Sequence, residues 1–129
     1  MKIVIPFKTP TINHLYWHRG NVKIMKKEAK ELRDEILEII DNKIYKYEAD
    51  YFKDKKLNVI VYIFEDWYNK DNTVKKKDIQ NREKFLIDSV FKGLGIDDKM
   101  IFKCQFVKEQ SFEEEYSVVL INELIDLEA

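Results

Sequence analysis

Apolar and polar positions alternate most regularly between Leu57 and Phe64, where Leu57, Val59, Val61 and Ile63 interleave with Asn58, Ile60, Tyr62 and Phe64. A period of two is the signature of a strand, and from Ile60 onward the second face is apolar too, which predicts a central place in a sheet. An opening strand is predicted over Lys2 to Phe7, with Ile3, Val4 and Ile5 ahead of Pro6. Thr9 to Gly20 reads as a loop punctuated by Pro10, Asn13 and Gly20, and Val22 to Met25 as a short, locally paired strand.

Elsewhere the period lengthens. From Lys26 to about Lys46, Ala29, Leu32, Ile36, Ile39 and Ile40 recur at helical spacing, while Lys and Glu, with Asp34 and Glu35 among the acids, fill the outward face. Asp66 to Lys77 breaks the strand pattern with charges and reads as an exposed loop. A second helix is predicted from about Asp78 to Lys92, ending near Gly93 and Gly95. Asp78 suits its first position, because a carboxylate there meets unpaired N–H groups and the positive end of the helix dipole. Ile79, Leu86, Val90 and Leu94 form the stripe expected to face a sheet. Ile101 to Val107 and Tyr116 to Ile121 read as strands, with Glu109 to Glu115 joining them as a hairpin. The order βαβαββ predicts one α+β domain over residues 1–129, a mixed sheet of about four strands covered by two helices.

The chain of 129 residues fits one domain, and 45% apolar content supplies a core. So short a chain buries a modest share of its surface, which favours pairing with a second copy. With 23 basic and 24 acidic residues the net charge is −1, so nucleic-acid binding would require local segregation of charge. Cys104, the single cysteine, excludes an internal disulfide and a cysteine-based zinc site; between Phe102 and Phe106 it reads as a buried thiol in a strand. Met1 to Phe7 lacks the features of a signal peptide and no apolar run is long enough to span a bilayer, so a cytoplasmic location is expected.

The candidate chemistry lies between Lys75 and Asp98. Asp78, Asn81, Lys84 and Asp88 follow one another at three or four residues, a single polar stripe if the helix is continuous. A basic run, Lys75-Lys76-Lys77, precedes it, and Gly95-Ile96-Asp97-Asp98 places two further carboxylates at a turn into a strand. A helix start and a strand start reached through a neighbouring hairpin can meet in space and bring Asp78 near Asp98. Clustered hard oxygens suit Mg²⁺ or Mn²⁺, and such an ion activates water and polarises a scissile phosphate. A lysine beside them stabilises charge that develops in the transition state. The bland reading of each piece is a solvated stripe, a solvated basic run and a turn rich in Asp.

Taken in order, Lys77-Asp78-Ile79-Gln80-Asn81, Lys84, Asp88 and Gly95-Ile96-Asp97-Asp98 resemble the core motif of the RusA-like Holliday junction resolvases. That motif has Asp-x-Asp-Asn, a lysine four residues after its second Asp, an Asp four later, and then an Asp-Asp pair. Upstream, Pro10-Thr11-Ile12-Asn13 is similar to the family's Pro-x-x-Asn turn, Tyr16 to Gly20 to the aromatic and basic stretch after it, and Leu32-Arg33-Asp34 to its Tyr-Arg-Asp. The resemblance implies a homodimer that binds four-way DNA junctions and nicks them with Mg²⁺ or Mn²⁺. It implies Asp78 and Asp98 as metal ligands, Lys84 as the catalytic lysine, and supporting roles for Asn81 and Asp88. Lys75, Lys76, Lys77, Asn13 and Arg19 are the DNA-binding candidates, the lysines through phosphate contact.

One position departs from the motif: Gln80 stands where the family has its second Asp. An amide oxygen can still reach a metal but brings no charge. Three outcomes stay open: Asp97 compensates as a ligand, the enzyme is weakened, or the protein binds branched DNA without cutting it. His14 and His18 lack a third His or Cys partner for zinc. Tyr16, Trp17, His18 and Arg19 read instead as stacking and cationic contacts to DNA, or as a loop packed at a dimer contact.

Overall fold

The computed structural model describes residues 1–11 and 16–125. The alternation at the centre of the chain becomes β4 (Leu57–Glu65), whose odd-numbered residues are buried and whose even-numbered ones are half-buried. It lies inside a four-stranded sheet of order β1-β6-β4-β5, with β1 (Lys2–Ile5), β5 (Ile101–Gln110) and β6 (Tyr116–Glu123). β4 runs parallel to β5 and antiparallel to β6, and β6 runs antiparallel to β1, so the sheet is mixed as expected.

The hairpin expected between the last two strands does not form. β5 and β6 lie on opposite sides of β4, and their connection crosses the end of that strand, where the Ser111 N–H donates to Glu65 O at 2.9 Å. Side-chain chemistry accounts for the arrangement. β4 is apolar on both faces and is best satisfied with a neighbour on each side, whereas β5, with Lys103, Gln105 and Lys108, suits an edge. Cys104 is consequently exposed on that edge strand and not a buried thiol.

The first helical pattern becomes α1 (Lys27–Lys43), with Ala29, Ile36 and Ile40 buried and Asp34 and Glu35 exposed. It ends three residues short of Lys46, and a separate short helix, α2 (Lys46–Phe52), follows, with the Glu48 carboxylate accepting from the Tyr45 N–H at 3.3 Å. The expected loop over Thr9 to Gly20 closes with a strand: β2 (Tyr16–Arg19) pairs with β3 (Val22–Met25) in a two-stranded hairpin around Gly20. Asn13 and His14 lie outside the described residues, as do the side chains of Tyr16, Trp17 and Arg19.

The second predicted helix starts later than its pattern suggests. Ile79–Arg82 is a turn of 3-10 helix, and the α-helix, α3, spans Glu83–Leu94. Leu86, Val90 and Leu94 are buried against the sheet as expected, and Gly95 ends the helix in the left-handed conformation at φ 68°. Gly93 is not punctuation. It lies inside α3 where α1 crosses, and a Cβ there would stand 2.7 Å from Ile40 Cδ1 and 3.3 Å from Leu37 Cδ2. Gly93→Val therefore forces the two helices apart and is expected to lower stability by about 1–3 kcal/mol, read as a reduced urea midpoint at unchanged slope.

Candidate active site around the start of the third helix

Continuing the inward positions of β4 past Ile63 leads to Glu65, a carboxylate only 1% exposed. A buried charge survives only with a partner, and here the partner is Arg82, 2% exposed, at the end of the 3-10 turn. The guanidinium grips Glu65 with both terminal nitrogens: Nη1 donates to Oε2 and Nη2 to Oε1, the latter at 3.1 Å. Nη1 also donates to the Thr9 carbonyl at 2.9 Å, which ties the segment after β1 into the same knot. Lys77 Nζ adds a second cation 3.4 Å from Glu65 Oε1.

Trp67 forms the floor beside this pair. Its indole N–H donates to Glu109 O at 2.9 Å and to Ile63 O at 3.2 Å. Over its ring sit Lys108 Nζ at 4.8 Å, Lys77 Nζ at 5.7 Å and the Arg82 guanidinium carbon at 6.0 Å. The loop that returns towards Asp78 is pinned to the same platform. Lys75 N–H donates to Trp67 O at 2.8 Å, and Lys108 Nζ to Lys77 O at 2.9 Å. Asp66 binds Gln110 Nε2 at 2.8 Å, and that bond, the Tyr68 N–H and Lys75 hold its carboxyl below the ordinary range.

On this base the structure sorts the residues singled out from the sequence. Asp78 is exposed directly after the pinned Lys77. Gln80 and Asn81 follow on the 3-10 turn, although their side chains lie outside the described residues. Lys84 Nζ sits 3.2 Å from Asp88 Oδ2 across one turn of α3. Of the basic run, Lys76 is exposed, Lys77 is drawn to Glu65, and Lys75 Nζ lies 3.7 Å from Asp66 Oδ2. Asp97 accepts the Lys99 N–H at 2.9 Å and so caps the short turn Asp98–Met100, where Asp98 is exposed.

Two expectations change. The stripe from Asp78 to Asp88 is not continuous, because α-helical register begins only at Glu83; the N-cap of α3 is Arg82, and Asp78 precedes the 3-10 turn. Nor does one copy of the chain bring Asp78 to Asp98. Asp78 stands at the β4 C-terminal end, held through Lys77 to Glu65 and Lys108. Asp98 stands beyond the other end of α3, whose 12 residues span about 18 Å, beside the start of β5 that pairs with Leu57. Among the described residues no three His, Cys, Asp or Glu side chains gather as a metal set. At its own end of α3, Asp78 offers an exposed carboxylate, with Asp66 on the same platform tied to Gln110. Mg²⁺ needs only one or two carboxylates when waters and phosphate oxygens complete its shell, so the residues fit such an ion.

The buried pair escaped the sequence reading. Its signal was a charge in the apolar phase at two places: Glu65 at the next inward position of β4, and Arg82 one turn before Leu86. Glu65→Gln leaves Arg82 buried without its counter-charge and is expected to cost about 3–5 kcal/mol in urea unfolding. Replacing both partners with Leu should recover most of that loss, which separates desolvation from packing.

Compared with known proteins, the chain matches no curated protein. It does match the pattern of the family described as Endodeoxyribonuclease RusA over residues 6–120. That span runs from the end of β1 to β6 and includes the whole constellation from Lys75 to Asp98. The chain belongs to the RusA endodeoxyribonuclease family.

Proposed function

We propose that the protein is a divalent-metal-dependent, structure-selective endodeoxyribonuclease that acts as a homodimer on four-way DNA junctions in the cytoplasm. The observation that carries this reading is the family match together with Asp78, Gln80, Asn81 and Lys84 on one stretch, braced from below by Glu65 and Arg82. No helix among the described residues is long and apolar enough to cross a membrane.

The Asp78 carboxylate and the Gln80 amide oxygen are the groups that would hold Mg²⁺ or Mn²⁺ against a phosphate. Such an ion, when bound, lowers the pKa of a water and neutralises the leaving oxygen. Lys84 supplies a cation where charge develops on the phosphorane-like transition state, and Asp88, 3.2 Å away, orients it. Lys76 is the exposed member of the basic run and the one best placed for phosphate contact, with Arg19 and Asn13 as further DNA-binding candidates.

A second reading rests on Gln80. A neutral amide in place of a carboxylate weakens the hold on a cation, which would leave a protein that recognises branched DNA and cuts it slowly or not at all. A labelled four-way junction incubated with Mg²⁺ or Mn²⁺ separates the two. Nicking with either metal, abolished in Asp78→Asn and reduced about 100-fold or more in Lys84→Ala, supports the nuclease. Junction-selective gel shifts without nicking support the binder, and Gln80→Asp should then raise cleavage. Neither nicking nor selective binding would sink both.

Salt dependence tests the approach of the DNA. Lys76→Gln should weaken junction binding and lower the slope of log K against log salt by about 1. An unchanged slope would remove Lys76 from the phosphate contacts.

A further inference from the structure

We infer that the cleft between α1, α2 and the last turn of α3 receives an unpaired nucleobase of a DNA strand, stacked on Tyr45. The cleft has a volume of about 360 Å³, in the size range of sites for one small planar molecule. Its walls are apolar where Ile40, Ala49 and Leu94 are buried, and its rim carries Asp41, Tyr45 and Lys46. None of these residues belongs to the stretch from Lys75 to Lys84, and Leu94 closes α3 at the end opposite to that stretch. Such a contact adds single-stranded DNA to the junction binding proposed above, and it requires no cleavage.

The aromatic side chain at the rim is already part of a stack. The Tyr45 ring lies parallel to that of Tyr47, with centroids 5.4 Å apart and planes 10° from each other. Both rings stay open to solvent, Tyr45 at 65% and Tyr47 at 70%. Tyr51, one turn beyond Tyr47, is exposed as well and carries Lys55 Nζ 4.6 Å from its ring centre. Three tyrosines left in water so close together contribute little to the core, and large apolar surface kept outside marks a contact site. A nucleobase laid on such a ring covers it. Every base has a flat face to offer, so stacking of this kind is indifferent to sequence. A base in the cleft extends the Tyr45–Tyr47 stack by one ring.

Charge sets which part of the nucleotide enters. Of the acids near the rim, Glu48 accepts from the Tyr45 N–H, Asp50 pairs with Lys53 at 3.3 Å and Asp54 with Lys55 at 3.6 Å. Asp41 lines the cleft itself, where a carboxylate repels a phosphate and leaves the space to the uncharged base. Lys46 supplies a cation on the rim for the phosphate that stays outside.

Anisotropy of a fluorescent single strand of about twelve thymidines, a length within the span of single-stranded sites, tests the contact. Wild type should bind it, Tyr45→Ala about tenfold or more weaker, and Tyr45→Phe like wild type. A strand of the same length with abasic residues in place of the thymidines should bind wild type about tenfold weaker, a readout that needs no variant to fold. Equal binding of the two strands would mean contact to phosphates alone and overturn the inference. A Tyr45→Ala protein that binds like wild type would overturn it too, and would point to a protein partner at these rings. No binding of the single strand, with selective gel shifts of the four-way junction retained, would sink the stacked base and leave the junction reading standing. No binding of either would sink both.

Discussion

The buried ion pair between Glu65 and Arg82 fixes where the end of the central strand meets the start of the third helix, and most of the site follows from it. A carboxylate and a guanidinium taken out of water together hold one geometry, because each lost contact leaves a charge stranded in low dielectric. The pair gathers Thr9, Lys77 and Trp67 around itself, so three segments distant in sequence converge at one end of the sheet. Every residue of the Lys75 to Lys84 stretch is reached from that convergence within a few peptide units. The position of Asp78 is therefore a consequence of Arg82, four residues further along the chain, and not of a helix cap.

The same anchor explains why the α-helix starts late. An Arg that must point inward at Glu65 occupies the phase where the apolar stripe would otherwise continue. The backbone meets that demand with a tighter 3-10 turn over Ile79–Arg82 before α-helical register takes over at Glu83. From there the stripe of Leu86, Val90 and Leu94 runs undisturbed, and Lys84 and Asp88 lie one turn apart on the outer face. Gly93 then lets α1 approach to the distance that its Ile40 and Leu37 require.

What the sequence revealed and what it hid divide along a physical line. Periodicity exposed β4, α1 and the inner face of α3, because burial on one face repeats at a fixed local interval. It exposed the family through the ordered run from Lys77 to Asp98. It did not expose which strands are neighbours: β5 and β6 follow one another in the chain, yet β4 separates them, since adjacency in a sheet is decided by which edges need covering. Glu65 and Arg82 were hidden for a related reason. Each is an ordinary charge when read alone, and only their meeting across the fold makes them the centre of the site.

The separation of Asp78 from Asp98 follows from that same topology. A helix laid between two parallel strands must return its chain to the opposite end of the sheet, so residues that flank α3 cannot meet in one copy, whatever their spacing in the sequence. A motif that lists both carboxylates in one line therefore describes a site of one chain only if something else folds the line back.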